Sequence, residues 1–184
     1  AAPILSVVPG DWDWIIDVNL MGVVYGTEAF LPHIKAHGEG GHFVNTASAA
    51  GHISTPFGEP YCGTKYAVVG MSAAWAADLA PVGIGVSVLC PGFVQSRIND
   101  SKRTRRERYG ETAKADDNLE VNRIIDELSS GTPAELVGER VIEAILGNEH
   151  TIMTHPQFDQ LISRRYEAIL AAFDRAAASS IIPK

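Results

Sequence analysis

Apolar residues recur at steps of three and four positions along the first helical stretch of the chain, which begins at Pro9. They are Trp12, Ile15, Ile16, Leu20, Val23, Val24, Phe30, Leu31 and Ile34. This spacing gathers them on one face, and proline suits the first position of a helix, so the pattern predicts one long amphipathic helix. We expect it to end near the glycines of residues 38–41. Gly22 and Gly26 stand four residues apart within it and would let another backbone approach closely.

Beyond that helix, short β-prone runs alternate with further helical patterns. Strands are predicted over 42–46, 86–90 and 151–154, and helices over 61–80, 133–146 and 158–178. Because short links join strand, helix and strand, the order predicts an α/β fold with parallel strand pairing and right-handed crossovers. Residues 97–130 are polar and irregular, and a connection of this length is more often functional than a simple link.

The composition is that of an ordinary globular domain. The chain has 184 residues, of which 46% are hydrophobic and 20% charged, and its formal net charge is −7. The acidic balance argues against nucleic acid as the main partner, because that binding starts with the neutralisation of phosphates by a basic face. No apolar run is long enough to predict a membrane span. Only two cysteines occur, Cys62 and Cys90, which favours a reducing cytoplasmic compartment and structural thiols.

Tyr61 and Lys65 lie four residues apart on a predicted helix, so their side chains emerge from the same face. A cation beside a phenol stabilises the phenolate and lowers its pKa from about 10 toward neutrality, which suits proton transfer. Ser48 follows the end of a predicted strand. Ligands bind at the carboxyl ends of strands in open parallel sheets, so we expect Ser48 and the Tyr61 helix to converge there. Alone, a Tyr–Lys pair at this spacing is far more often an ordinary contact on a helix surface.

Four motifs follow one another in a distinctive order. They are Asn19 in the first helix, the run Asn45–Ser48 followed by Gly51, the pair Tyr61 and Lys65, and Pro91-Gly92 after a strand. In order and separation, these motifs resemble those of the short-chain dehydrogenase/reductase family, and the resemblance covers residues 3 to 155. It implies a Rossmann-like doubly wound parallel sheet, represented here by its C-terminal part of about three strands with flanking helices.

The resemblance also implies how the chain is organised. Residues 1–184 would form the C-terminal portion of a single Rossmann domain, in which 97–130 cover the substrate. A dinucleotide site needs a glycine-rich turn after the first strand, whereas the glycines of 38–41 and 83–85 precede strands. We therefore expect the N-terminal half of the fold to lie outside this sequence. The 42–46 strand would then stand at an open edge, and activity of this portion alone would be doubtful.

Carried over residue by residue, the resemblance implies four catalytic side chains. Tyr61 would be the general acid/base, and Ser48 would hold the reacting oxygen by a hydrogen bond. Lys65 would lower the pKa of Tyr61 and bind the nicotinamide ribose, and Asn19 would keep a water in the proton path. Asn19 is also open to a plainer interpretation, in which it satisfies buried backbone groups.

The implied cofactor is NAD or NADP, which supplies the hydride chemistry. Its contacts would be Tyr61 and Lys65, together with Pro91, Gly92, Val94 and Ser96 in the turn beside the nicotinamide. The Val94 backbone and the Ser96 hydroxyl would meet the carboxamide. The family more often has threonine at the last of these positions, and Ser96 is also compatible with a helix cap.

We expect an NAD(P)-dependent oxidoreductase that interconverts a secondary alcohol and a ketone. The alternative is a non-catalytic or truncated assembly module of the same fold. A homodimer or homotetramer is expected, because the family commonly packs its Asn- and Tyr-bearing helices against a second subunit. The substrate would be a small-molecule alcohol or ketone that is apolar or aromatic. Its pocket would be lined by Ile53, Phe57, Phe93 and Ile98.

Two further features stay open at this point. His33, His37, Glu39 and His42 have spacings that a metal site could use, although exposed imidazoles at a helix end are the commoner case, and we expect no metal. Five basic residues fall within 102–108. They could meet an anionic substrate, but a solvated charged surface is the commoner outcome.

Overall fold

The computed structural model describes residues 4–54, 58–112, 127 and 130–181. Phe57, expected in the substrate pocket, and residues 113–126 of the expected covering segment lie outside these ranges. Every predicted helix and strand falls within them. None of the helices in this described part is long and apolar enough to cross a membrane.

Helices and strands alternate along the chain. The N-terminal helices are α1 (Pro9–Ile15) and α2 (Gly22–His37), joined by a π-helical turn (Ile16–Met21). The remaining elements are β1 (Gly41–Thr46), α3 (Glu59–Leu79), β2 (Ile84–Cys90), α4 (Ala134–Leu146), β3 (Thr151–Met153) and α5 (Asp159–Ala177).

The three strands form one parallel sheet in the order β1-β2-β3. In its register, Asn45 of β1 stands opposite Val88 of β2, and Val88 stands opposite Thr151 of β3. This confirms the predicted parallel α/β architecture. Because β1 is at one end of this order, its outer side is an open edge of the described sheet, as expected.

The two faces of β2 are covered by different helices. Val88 and Cys90 pack with Val68 of α3, and Leu20 and Val23 contact the same cluster. On the opposite face, Leu89 packs with Val137 and Ala144 of α4 and with Ile152 of β3. Alternate side chains of a strand point to opposite faces, so β2 is buried on both sides. This gives the helix–sheet–helix layering of a doubly wound fold.

The first helix differs from the prediction. Instead of one uninterrupted α-helix from Pro9, the chain forms a π-helical turn over Ile16–Met21 before it continues as α2. Apolar spacing predicts the helical face but does not encode one extra residue in a single turn. A Cβ added at Gly26 would meet nothing within 4 Å among the described residues, so the close approach of another backbone at the two glycines stays a prediction.

Candidate active site

The carboxyl ends of β1 and β2 bring Ser48 and Pro91 together. The backbone N–H of Ala47 donates to the Leu89 carbonyl oxygen, and that of Ala49 donates to the Pro91 carbonyl oxygen, each at 2.8 Å. The Ser48 hydroxyl itself lies 3.4 Å from the Pro91 carbonyl oxygen. The loop after β1 therefore continues the ladder beyond the sheet and fixes Ser48 at the edge where parallel sheets bind ligands.

The side chains of Ser48 and Tyr61 interact at this edge. The Ser48 hydroxyl accepts the backbone N–H of Ala50 at 3.1 Å, and its influence on Tyr61 is seen in the pKa of the phenol. Burial raises the pKa of Tyr61 above its ordinary value of 10, and the Ser48 hydrogen bond acts in the opposite direction. The Tyr61 phenol is therefore protonated at neutral pH.

Lys65 is buried beside this pair, with 8% of its surface exposed. Its Nζ donates to the Thr46 carbonyl oxygen at 2.9 Å and lies 5.6 Å from the centre of the Tyr61 ring. Burial lowers the pKa of Lys65, because it disfavours the charged ammonium. Burial sets the direction of the Tyr61 pKa shift and Ser48 supplies the opposing interaction, and the lowering of this pKa by Lys65 stays a prediction.

Asn19 lies in the π-helical turn between α1 and α2. Its neighbour Leu20 packs against the core cluster that contains Val68 of α3. The turn thus places Asn19 on a helix that packs against the helix of Tyr61 and Lys65. π-helical turns are uncommon and frequently occur at functional sites. The water-holding role of Asn19 stays a prediction.

The turn after β2 carries the other expected cofactor contacts. Val94 forms a parallel bridge with Thr132, in which the Gln95 N–H donates to the Thr132 carbonyl oxygen at 3.0 Å. Ser96 is exposed, and the next short helix has Arg97 at its N-cap, so Ser96 is not its cap. The helix expected from 133 begins at Ala134, with Pro133 as its N-cap.

The sequence analysis did not select three side chains that make contacts here. They are His155, which contacts this turn, and His52 and Tyr166, which contact each other beside Cys90. His155 is hydrogen-bonded to the turn through both ring nitrogens. His52 contacts the Cys90 sulfur at 3.4 Å and the Tyr166 hydroxyl of α5 at 3.0 Å. No local pattern marks these residues, because their partners are remote in the chain. A histidine just after a predicted strand was the one available signal for His155.

Both cysteines are free and buried. Burial raises the pKa of the Cys90 thiol to about 11, although a backbone hydrogen bond at Ser48 and the charge of Lys65 oppose this shift. A thiol with a raised pKa is a poor nucleophile at neutral pH. This agrees with the structural role expected for Cys90.

The basic segment is only partly a solvated surface. The Arg105 guanidinium donates to the Asp11 carboxylate of α1 at 2.8 Å and lies 5.1 Å from the centre of a Trp14 ring. The Tyr109 hydroxyl and Arg108 contact the carboxylate of Asp17 in the π-helical turn, each at 2.9 Å. These contacts attach the segment that contains Arg105, Arg108 and Tyr109 to the N-terminal helices.

The spacing of histidines on α2 does not produce a metal-binding cluster within the part of the chain that the structure describes. His33 is exposed, and the His37 ring accepts the backbone N–H of Glu39 at 3.2 Å. His42 is directed at the Ser87 hydroxyl of β2, 2.7 Å away. The sequence neighbours are thus separated by the fold.

Comparison with known proteins places this geometry in a family. The family model described as short chain dehydrogenase matches residues 1–107. The chain is 31% identical over 167 residues to the CLA biosynthesis dehydrogenase/reductase of Lactiplantibacillus plantarum, covering 87% of this chain and 58% of that protein. It is 29% identical over 168 residues to the C alpha-dehydrogenase of Sphingobium sp., covering 91% of this chain and 55% of that protein.

Among solved structures, a short-chain dehydrogenase/reductase from Burkholderia phymatum in complex with NAD superposes with a TM-score of 0.87 at 33% identity. The match covers 93% of this chain and 63% of that one. The chain thus spans between half and two thirds of the length of these three relatives. By the family match over more than half of its length, this chain belongs to the short-chain dehydrogenase family.

Proposed function

We propose that this chain is the catalytic and substrate-binding portion of an NAD(P)-dependent oxidoreductase that interconverts a secondary alcohol and a ketone. The observation that carries the proposal is that Ser48 and Tyr61 interact beside the buried Lys65 at the carboxyl edge of the sheet. Assembly alone would not require a serine, a phenol and an ammonium at one point. In this proposal residues 1–184 belong to one domain, and 97–130 cover the substrate.

The residues present fit the nicotinamide end of a dinucleotide. The turn beside Ser48 contains Pro91, Gly92, Val94 and Ser96. The Lys65 ammonium, bonded to Thr46 at the end of β1, is a charged hydrogen-bond donor at the same edge of the sheet. The dinucleotide complex of the Burkholderia phymatum relative supports the same cofactor class here. No glycine-rich turn follows a strand in this sequence, so the pyrophosphate would be held by residues outside it. We call the protein that joins this chain to such a dinucleotide-binding half the full-length enzyme.

The bound nicotinamide would supply or accept the hydride, and the side chains of this chain would handle the proton. In ketone reduction, the protonated Tyr61 phenol gives its proton to the carbonyl oxygen, while Ser48 orients that oxygen by a hydrogen bond. Burial favours this direction, because it keeps the phenol protonated. In alcohol oxidation, Tyr61 must first lose its proton, and the Ser48 hydrogen bond helps to stabilise the phenolate.

The side chains near the turn after β2 support the proposed substrate class. Phe93 packs against Phe158, with ring centres 6.1 Å apart, and Ile53 follows the Ser48 loop. Ile98 is exposed beyond the turn. These apolar groups support a small apolar or aromatic alcohol or ketone.

A homodimer or homotetramer is part of the proposal. On the N-terminal helices Val18, Gly22 and Tyr25 form one stripe at i, i+4 and i+7, and Tyr25 is 60% exposed. On α3, a Cβ added at Gly63 or Gly70 would meet nothing within 4 Å among the described residues. Small residues beside exposed apolar groups suit close packing of helices from a second copy.

The test is hydride transfer by the full-length enzyme. Aryl and aliphatic secondary alcohols would be supplied with NAD or NADP, and the reduced nicotinamide followed at 340 nm. Turnover with at least one cofactor is expected. Cofactor binding without turnover of any alcohol or ketone would favour a non-catalytic assembly module instead, and absence of both would overturn the proposal.

A further inference from the structure

His155 is the second residue after β3 and is 6% exposed, with its ring against the turn that follows β2. The Gly92 N–H donates to Nδ1 of this ring at 3.0 Å. On the other side of the ring, Nε2 lies 2.9 Å from the Phe93 carbonyl oxygen. One imidazole therefore spans two consecutive residues of the turn, holding the N–H of one and the carbonyl of the next.

These contacts fix the tautomer. A backbone N–H can only donate, so Nδ1 is the unprotonated acceptor and the proton is on Nε2. The Nε2–H then donates to the Phe93 carbonyl oxygen, and the Thr132 hydroxyl is 3.1 Å from the same nitrogen. The Thr154 hydroxyl lies 2.7 Å from Nδ1. Both ring nitrogens of this nearly buried side chain are thus hydrogen-bonded.

Packing restricts the turn to the same position. A Cβ added at Gly92 would come within 2.4 Å of the Phe158 ring and 2.9 Å of the His155 ring. The Thr132 N–H also donates to the Phe93 carbonyl oxygen at 2.9 Å. The turn is therefore held between β2, the strand-like bridge at Thr132 and the segment after β3.

We infer that His155 is a positioning residue for the cofactor turn, acting through Gly92 and Phe93 on the residues proposed to meet the nicotinamide carboxamide. This inference rests on the proposed function. By holding the Pro91–Gly92 peptide through its N–H and the Phe93–Val94 peptide through its carbonyl oxygen, the imidazole sets the direction in which Val94 and Ser96 leave the sheet. Preorganising that backbone lowers the ordering cost of binding, so its loss should weaken the cofactor rather than the proton transfer.

The test uses the full-length enzyme with His155→Ala. In the absence of cofactor, amide hydrogen exchange followed by mass spectrometry should show faster exchange in the peptide that contains Gly92 and Gln95. The dissociation constant for the reduced nicotinamide cofactor should rise about tenfold, corresponding to the loss of one or two neutral hydrogen bonds. The cofactor KM should rise with it, while kcat at saturating cofactor changes much less.

His150→Ala is the matched control. His150 stands at the other end of β3, where its Nδ1 lies 2.9 Å from the Val86 carbonyl oxygen, remote from the turn. It should leave both the exchange of the turn and the cofactor affinity unchanged. His155→Asn, whose carbonyl can still accept the Gly92 N–H, should lie between the wild type and His155→Ala, and it serves if the alanine variant does not fold.

The outcomes are distinct. Equal effects of His155→Ala and His150→Ala, or unchanged exchange in the turn, would overturn the inference while leaving the proposed function intact. Failure of the wild-type enzyme to bind either nicotinamide cofactor would overturn the proposed function, and the cofactor role of His155 with it. Faster exchange and weaker cofactor binding in His155→Ala alone would support the inference.

Discussion

The Lys65 ammonium donates to the carbonyl oxygen of Thr46 at 2.9 Å. Thr46 is the last residue of β1, and the loop that carries Ser48 follows it. A buried cation is thereby tied to the carboxyl end of β1 and held 5.6 Å from the Tyr61 ring. The contact joins the helix of the proposed acid/base to the strand that positions its hydrogen-bond partner. The proposed reaction depends on this contact between α3 and β1, because Tyr61 lies on α3 and Ser48 follows β1.

Tyr61→Phe should lower turnover of the full-length enzyme by about 10²- to 10⁴-fold, the usual contribution of a general acid or base. Cofactor affinity should change little, because only the hydroxyl is removed. Steady-state kinetics and a cofactor titration would check both expectations. Tyr66→Phe is the control, a tyrosine on the same helix whose buried hydroxyl has no hydrogen-bond partner among the described residues. Equal activity in the two variants would contradict the role of Tyr61.

Ser48→Ala should move the alkaline limb of the pH profile for alcohol oxidation to higher pH. Oxidation needs the Tyr61 phenolate, and the Ser48 hydrogen bond lowers a pKa that burial raises. Removing that bond leaves the raising effect unopposed, so deprotonation requires more alkaline solution. The profile of kcat/KM from neutral pH to above pH 10, as far as the enzyme stays folded, would measure the shift, with about one pH unit corresponding to 1.4 kcal/mol. Ser48→Thr keeps a hydroxyl and should stay near the wild type; a limb that does not move in Ser48→Ala would disprove the coupling.

Arg105→Gln should destabilise the full-length enzyme by about 3 kcal/mol, because it removes the buried guanidinium charge that pairs with the Asp11 carboxylate. The two side chains are only 7% and 16% exposed. Arg108→Gln is the matched control, since Arg108 and Asp17 are 59% and 45% exposed and solvent screens their attraction. Urea unfolding of both variants would check the contrast. A smaller effect of Arg105→Gln than of Arg108→Gln would show that the covering segment is not anchored through α1.

Tyr25→Glu should shift the full-length enzyme toward smaller assemblies, because it places a charge in the exposed stripe proposed to meet a second copy. Sedimentation velocity would measure the change at several protein concentrations. Leu5→Glu, at a residue 97% exposed outside the helices, is the control and should leave assembly unchanged. An unaltered sedimentation coefficient for Tyr25→Glu would place the interface elsewhere.

Much of the fold was predictable because it is encoded in short stretches. Strand and helix periods gave the parallel sheet and the helices around it, with boundaries displaced by a few residues, as at Ala134. The single helix predicted from Pro9 was wrong in one respect. An extra residue in the turn around Asn19 leaves the apolar face almost unchanged, so the hydrophobic pattern cannot distinguish a π-helical turn from an α-helical one.

The sequence by itself determined that Tyr61 and Lys65 share a helix face and that Ser48 follows a strand end, because these relations depend on local spacing. Only the tertiary structure decided that His155 holds Gly92, 63 residues away, and that Arg105 holds Asp11, 94 residues away. It also decided the direction of the Tyr61 pKa. Burial and hydrogen bonds between remote residues exist only after the chain has packed, so no local pattern records them.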